Sequence, residues 1–348
     1  MTEAAQPRGT EQARQTDYLS LASKLAAPVF LLLLMFAFAL AHPNFLTEGN
    51  LLNLLRQVSF GGIIAVGMTF VILTAGIDLS VGALLAFAGV VAAIVSKGGL
   101  GDRFAIGSSV EAANPWYLAL LAALAVGVVC GAAQGLTISR LRVPPFVVTL
   151  GGFFVFRGLT LGVSDSGPIS GFDDDFKWWG QARIDLIIID NVPLPAIIFI
   201  ATAIIAGLVL RYTRFGQHVY ATGGNPVAAK LNGVPTGRII FSVYVIVGFL
   251  CGLAAFLLSA RLNTSQAVAG LGLELQVIAA VVIGGTSLFG GVGGIGGTIV
   301  GVLLIGVLNN GLVLLNVPSW IQLVIIGLIL VAAVAFDQFA RSRNQLVT

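Results

Sequence analysis

Gly76-Ile77-Asp78-Leu79-Ser80-Val81-Gly82 decides how this sequence is read. It separates two apolar runs, 52–75 and 81–96, each near the length a helix needs to cross about 30 Å of hydrocarbon. A break so short lies within the membrane depth, where surrounding protein must shield it. A second short break, 290–293, parts the runs 268–289 and 294–315. Cutting at the remaining polar loops adds the runs 25–41, 116–137, 145–163, 193–210, 238–259 and 319–336. Ten spans result. The expected fold is an all-α polytopic membrane protein with one transmembrane domain over 25–338, between polar cytoplasmic tails at 1–24 and 339–348.

Composition agrees. Of 348 residues, 57% are hydrophobic and only 9% are charged, with a mean hydropathy of +0.99. Soluble domains carry about 25% charged residues, too many for this chain to be one. Cys130 and Cys251 both fall inside apolar runs, with no disulfide frame and no metal-ligand spacing, so packing is their expected role and no metal is expected. The net charge of +3 carries information through its placement, which speaks to topology rather than to nucleic acid. With the N-terminus inside, the inner segments hold Arg8, Arg14, Lys24, Arg140, Arg142, Arg211, Arg214, Lys230, Arg238, Arg341 and Arg343. The outer loops hold Lys97, Arg103, Lys177, Arg183 and Arg261. Eleven against five places both termini in the cytoplasm.

Glycine is abundant, at 44 residues. Gly127, Gly131 and Gly135 form a four-residue ladder, and Gly248 with Gly252 a shorter one, as expected where helix backbones touch. Gly291-Val292-Gly293-Gly294-Ile295-Gly296 matches a dinucleotide-binding pattern but has no strand-helix unit around it. Small-residue packing continuing through Gly297 and Gly301 is the better reading. No Gly-x-x-x-x-Gly-Lys-Ser/Thr loop exists, so any nucleotide that drives this chain is held by another subunit.

The chemistry-bearing residues are few. Asp78 reads either as part of a path or gate, or with Ser80 as a cap for the helix beginning near Val81. The cap is favoured, because a buried break must satisfy those free N–H groups. Arg157 and Glu274 are ionisable residues in or beside spans. Gln276, Asn309 and Asn310 can bond hydroxyls along a path, but helix-helix glue comes first. The segment 164–192, with Trp178-Trp179 and Asp173-Asp174-Asp175, reads as an interfacial turn or a docking surface on the outer side.

The loop Thr222-Gly223-Gly224-Asn225-Pro226-Val227-Ala228-Ala229-Lys230-Leu231-Asn232-Gly233-Val234 is the strongest constellation. Asn225 can cap, Pro226 suits the first helical position, and Gly233 can end the one or two turns between them. The result is a short helix set between two spans on the positive side. Residues 66–82 and 278–294 both run from an apolar helix through a Gly-rich break into a new helix, suggesting a diverged inverted repeat.

With these stretches in hand, the chain resembles the permease subunits of bacterial ABC importers for monosaccharides, the ribose, xylose, arabinose and galactose class. The resemblance rests on 74–82, on Tyr220-Ala221-Thr222-Gly223-Gly224-Asn225-Pro226, on Gly284-Gly285-Thr286-Ser287-Leu288-Phe289-Gly290-Gly291 and on Leu308-Asn309-Asn310-Gly311-Leu312, and it spans about 25 to 338. It implies a ten-helix permease of the larger-substrate architecture in the bacterial inner membrane, not itself an enzyme, pairing with a second permease as a homodimer. ATP and Mg would be held by an ATP-binding partner subunit, and a periplasmic sugar-binding protein would deliver the solute. The ATPase-coupling loop would comprise Gly223, Gly224, Asn225, Pro226, Ala228, Ala229, Lys230 and Gly233. Val227 stands where relatives usually carry Glu. The path or gate would draw on Asp78, Ser80, Thr286, Asn309 and Asn310. Two alternatives are a permease for nucleosides or another small polar solute, and an ion-coupled secondary transporter built on Asp78.

Overall fold

The computed structural model describes residues 27–98, 114–185, 189–329 and 331–332. The tails 1–24 and 339–348 lie outside the described residues. The helices are α1 (Ala27–Ala41), α2 (Glu48–Leu73), α3 (Val81–Ser96), α4 (Trp116–Leu141), α5 (Pro145–Val163), α6 (Asp174–Gln181), α7 (Leu194–Tyr212), α8 (Arg214–Gly224), α9 (Pro226–Leu231), α10 (Thr236–Leu262), α11 (Leu273–Ile283), α12 (Ile295–Leu314) and α13 (Ser319–Ile329). Two antiparallel two-residue pairings pin the loops: β1 (Ile169–Ser170) on β4 (Thr264–Ser265), and β2 (Arg183–Ile184) on β3 (Val192–Pro193).

Each of the ten apolar runs contains a helix. Six, namely α2, α4, α5, α7, α10 and α12, are long and apolar enough to cross a membrane. The expected span 268–289 is corrected. Only Leu273–Ile283 is helical there, about 16 Å of rise and half of a crossing. Gly270 and Gly272, at φ +68° and +78°, hold the chain out of helix before α11, and Gly285, at +88°, ends it. Hydropathy does not register these turns, because the flanking loops are themselves apolar.

The core forms where α2 and α10 cross, with α3 and α4 against α10, α7 and α12 against α2, and α11 against α12. α2 is buried from Val58 to Leu73 except at Gly61. α4 and α5 instead turn Leu121, Val129, Phe154 and Val155 outward, which suits a hydrocarbon solvent. The two glycine ladders prove to be one interface. A Cβ on Gly127 would strike the Gly248 carbonyl, one on Gly131 the Tyr244 carbonyl, and one on Gly252 the Ala123 carbonyl. Gly297 and Gly301 do the same for α12 against Gly284 and Ala280. Helices in lipid gain little from burying apolar surface, so this backbone-to-backbone approach is what holds them together.

Residues 172–181, within the segment 164–192, fold back over the end of α10. Phe176 is fully buried between Phe172 and Phe256, while Trp179 lies 4.7 Å from Trp116 ring to ring. Lys177 pairs with Asp174 at 2.7 Å, and this bond holds the Asp174 carboxyl below its usual range.

Candidate functional site

The α8–α9 loop is built as its sequence dictates. Thr213 Oγ1 accepts from Gly216 N at 3.2 Å and starts α8. Asn225, extended at φ −155°, breaks the chain between the two helices. Its Oδ1 accepts from Ala228 N at 2.9 Å, and Pro226 occupies the first turn. At the far end Gly233, at φ +81°, donates to the Lys230 carbonyl while Val234 N donates to that of Ala229, closing α9. Ala229 faces inward. Val227 and Leu231 are 69% and 84% exposed, an apolar pair on a six-residue helix that none of the described residues covers. Beside them opens a cavity of about 720 Å³ lined by Arg140, Arg142, Lys230 and Arg238.

Behind this knob, three backbones meet. Gly291 N donates to the Leu73 carbonyl at 2.9 Å, joining the loop 284–294 to the end of α2. Gly223, in the last turn of α8, packs into that junction: a Cβ there would collide with the Leu73 carbonyl and come within 2.8 Å of Gly291 N. Tyr220 reaches across as well, its hydroxyl donating to the Gly293 carbonyl at 2.9 Å. The exposed α9 is therefore one short helix away from both interruptions of the bundle.

Those interruptions close with the same hydrogen bonds. After α2, Gly76 N donates to Val71 O and Ala75 N to Ile72 O, with Ala75 at φ +60°. After α11, Thr286 N donates to Val281 O and Gly285 N to Val282 O, with Gly285 at φ +88°. Both are left-handed helix endings of one pattern.

Of the five path or gate candidates only Asp78 and Ser80 are brought together; Thr286, Asn309 and Asn310 fall in separate places. Asp78 and Ser80 are fully buried. Asp78 Oδ1 accepts from Ser80 N at 2.8 Å and from Ser80 Oγ at 2.7 Å, and Gln134 Nε2 donates to Ser80 Oγ at 2.8 Å. The cap expectation needs correcting. Among the described residues no side chain caps the N-terminus of α3, and Asp78 satisfies the N–H of Ser80, the residue before the helix. Tyr244 and Thr149 hydroxyls donate to the Ile77 carbonyl at 3.3 and 3.2 Å, so α4, α5 and α10 all grip this break. Gln134, Tyr244 and Thr149 are partners that sequence reasoning missed. The one available signal was Gln134, a lone amide inside the α4 glycine ladder. Thr286 is buried, its Oγ1 without a hydrogen-bond partner among the described residues and facing Gly293. Asn310 exchanges two 2.9 Å bonds with Asn50, as glue between α12 and α2. Asn309 instead lines a cavity between α2, α11 and α12.

Of the ionisable residues in spans, Arg157 donates to the Ala267 and Ala269 carbonyls, and Glu274 Oε1 accepts from Gly272 N at 3.2 Å. Both clamp the turn that precedes α11. Among the described residues no group of three His, Cys, Asp or Glu gathers to hold a metal.

Residues 50–334 match the family described as branched-chain amino acid transport system / permease component. The chain is 41% identical to the ribose import permease protein RbsC of Bacillus subtilis, over 94% of this chain and 97% of that protein. It is 37% identical to the D-allose transport system permease protein AlsC of Escherichia coli, over 86% of each. It is 36% identical to the L-arabinose ABC transporter permease protein AraH of Azospirillum brasilense, over 91% of this chain and 88% of that protein. No solved structure matches at a significant level. The match along nearly the whole helical bundle shows that this chain belongs to the branched-chain amino acid transport system / permease component family, a transport component rather than an enzyme.

Proposed function

We propose that this chain is the membrane-spanning subunit of an ATP-driven importer that carries a monosaccharide across the bacterial inner membrane. The observation that carries the reading is the seam of Gly223, Leu73 and Gly291, which ties the exposed α9 to both helix interruptions. Relatives named for ribose, allose and arabinose supply the substrate class.

In this reading an ATP-binding subunit, which holds ATP and Mg, seats α9 in a groove. Val227 and Leu231 give the apolar contact, and the cations around Arg142 and Lys230 face an acidic rim on the partner. When the ATPase pair closes, α9 shifts and α8 passes the displacement to Leu73 and the loop 284–294. The two interruptions then let α2 and α3, and α11 and α12, change their relative angle. Rigid helices cannot bend mid-span without losing backbone hydrogen bonds, whereas chain already interrupted can move. Two copies pair around the path, both termini lie in the cytoplasm, lipid surrounds the outward faces of α4 and α5, and a periplasmic binding protein delivers the sugar from the other side.

Leu231→Asp and the pair Arg142→Glu/Lys230→Glu alter exposed positions and leave the bundle intact. Each is expected to reduce co-purification of the ATP-binding subunit and to lower ATP-driven sugar uptake in reconstituted vesicles at least tenfold. Unchanged uptake and an unchanged complex would contradict the docking surface.

A further inference from the structure

Among the described residues the membrane helices carry eight amides: Asn50, Asn53 and Gln57 on α2, Gln134 on α4, Gln276 on α11, Asn309 and Asn310 on α12, and Gln322 on α13. Five of them make side-chain hydrogen bonds. Asn50 pairs with Asn310, Asn53 accepts from Arg56, Gln134 donates to Ser80 and Gln322 donates to Val317 O. The remaining three, Gln57, Gln276 and Asn309, have no side-chain partner among the described residues, and all three line a single cavity of about 220 Å³ between α2, α11 and α12. Gln57 is exposed and Gln276 and Asn309 are half-buried on the cavity wall, so their polar atoms are open to whatever fills it, and an amide left without a partner in an apolar setting is costly. Three on separate helices converging on one space point to a polar occupant.

The geometry points to this cavity as a sugar-binding subsite on the translocation path, an inference that rests on the proposed sugar-import function. The rest of the wall is apolar, with Val58, Leu273 and Ile305, and Gly61 leaves room between them. A few fixed amides on an apolar wall match the two kinds of surface on a monosaccharide, its hydroxyls and its C–H faces. An amide offers both donor and acceptor, so it serves a hydroxyl in either role. The absence of charge among the three keeps retention weak enough for release. The cavity is smaller than the roughly 300 Å³ at which closed ligand pockets begin, as suits half of a site completed by the facing permease copy.

The test uses the complete complex, with ATP-binding subunit and binding protein, in proteoliposomes. The probe is whichever labelled sugar the wild type accumulates from D-ribose, D-allose, D-xylose and L-arabinose. Gln57→Leu, Gln276→Leu and Asn309→Leu are each expected to slow uptake about tenfold, as an unmatched hydroxyl implies, with binding-protein-stimulated ATP hydrolysis within twofold of wild type. At least one of the three is also expected to lose discrimination against a deoxy analogue of that sugar, a readout that a purely structural role does not move. Gly61→Val, which fills the cavity, is expected to slow uptake in the same way. Asn309→Cys, with Cys130 and Cys251 replaced by Ser, is expected to react with a water-soluble methanethiosulfonate and to be protected by the sugar. Normal uptake in all four variants would overturn the subsite, as would labelling of Asn309→Cys by lipid-soluble reagents alone. Failure of the wild-type complex to take up any of the sugars with ATP would instead overturn the importer reading itself.

Discussion

Asn309 and Asn310 are adjacent, yet a helix turns neighbours about 100° apart, and the two amides do different work. Asn310 faces α2 and closes a reciprocal pair with Asn50, while Asn309 faces the cavity. A double-mutant cycle on Asn50→Leu and Asn310→Leu, read by unfolding in detergent, is expected to give a coupling energy of about 1 kcal/mol. Strict additivity would show that the pair contributes nothing. Sequence alone flagged both residues without saying which face each took, because the phase of α12 relative to its neighbours is set by Gly297 and Gly301 packing on α11. Gln57 went unnoticed for the same reason, since its importance appears only when α2, α11 and α12 are brought together.

At the scale of elements, α9 was the most legible piece of the molecule. Asn225, Pro226 and Gly233 each have one dominant local use, and the structure employs all three. The ten apolar runs were legible because hydrocarbon forces such runs on any crossing helix. α11 was misjudged because its ends are set by backbone angles at Gly270, Gly272 and Gly285, to which hydropathy is blind. The seam behind α9 was invisible in sequence, since Gly223, Leu73 and Gly291 are far apart along the chain. It gives a sharp paired prediction. Gly223→Ala drives a methyl group into the Leu73 carbonyl, whereas Gly224→Ala meets nothing within 4 Å. Gly223→Ala is expected to leave complex assembly intact and to raise the ATP consumed per sugar several-fold, with Gly224→Ala near wild type. Equal coupling ratios in the two variants would remove the seam from the mechanism.

The whole molecule combines a bundle fastened by close glycine contacts with two interruptions, one buried around Asp78 and Ser80 and one whose Phe289 and Val292 are exposed. α4 and α10 meet backbone to backbone and have little freedom to slide, whereas the ends of α2 and α11 are irregular and linked to the exposed α9. That division assigns rigidity and movement to different parts of one fold. In the proposed reading the energy source sits on a partner subunit, as the lack of a phosphate-binding loop in the sequence leads one to expect. The most direct measurement is solute accumulation in liposomes that contain this chain alone, compared with liposomes that also hold the ATP-binding subunit and binding protein. The prediction is ATP-dependent accumulation in the full complex, unaffected by an ionophore, and none with the chain alone. Accumulation against a gradient by the isolated chain, collapsing when an ionophore is added, would contradict it.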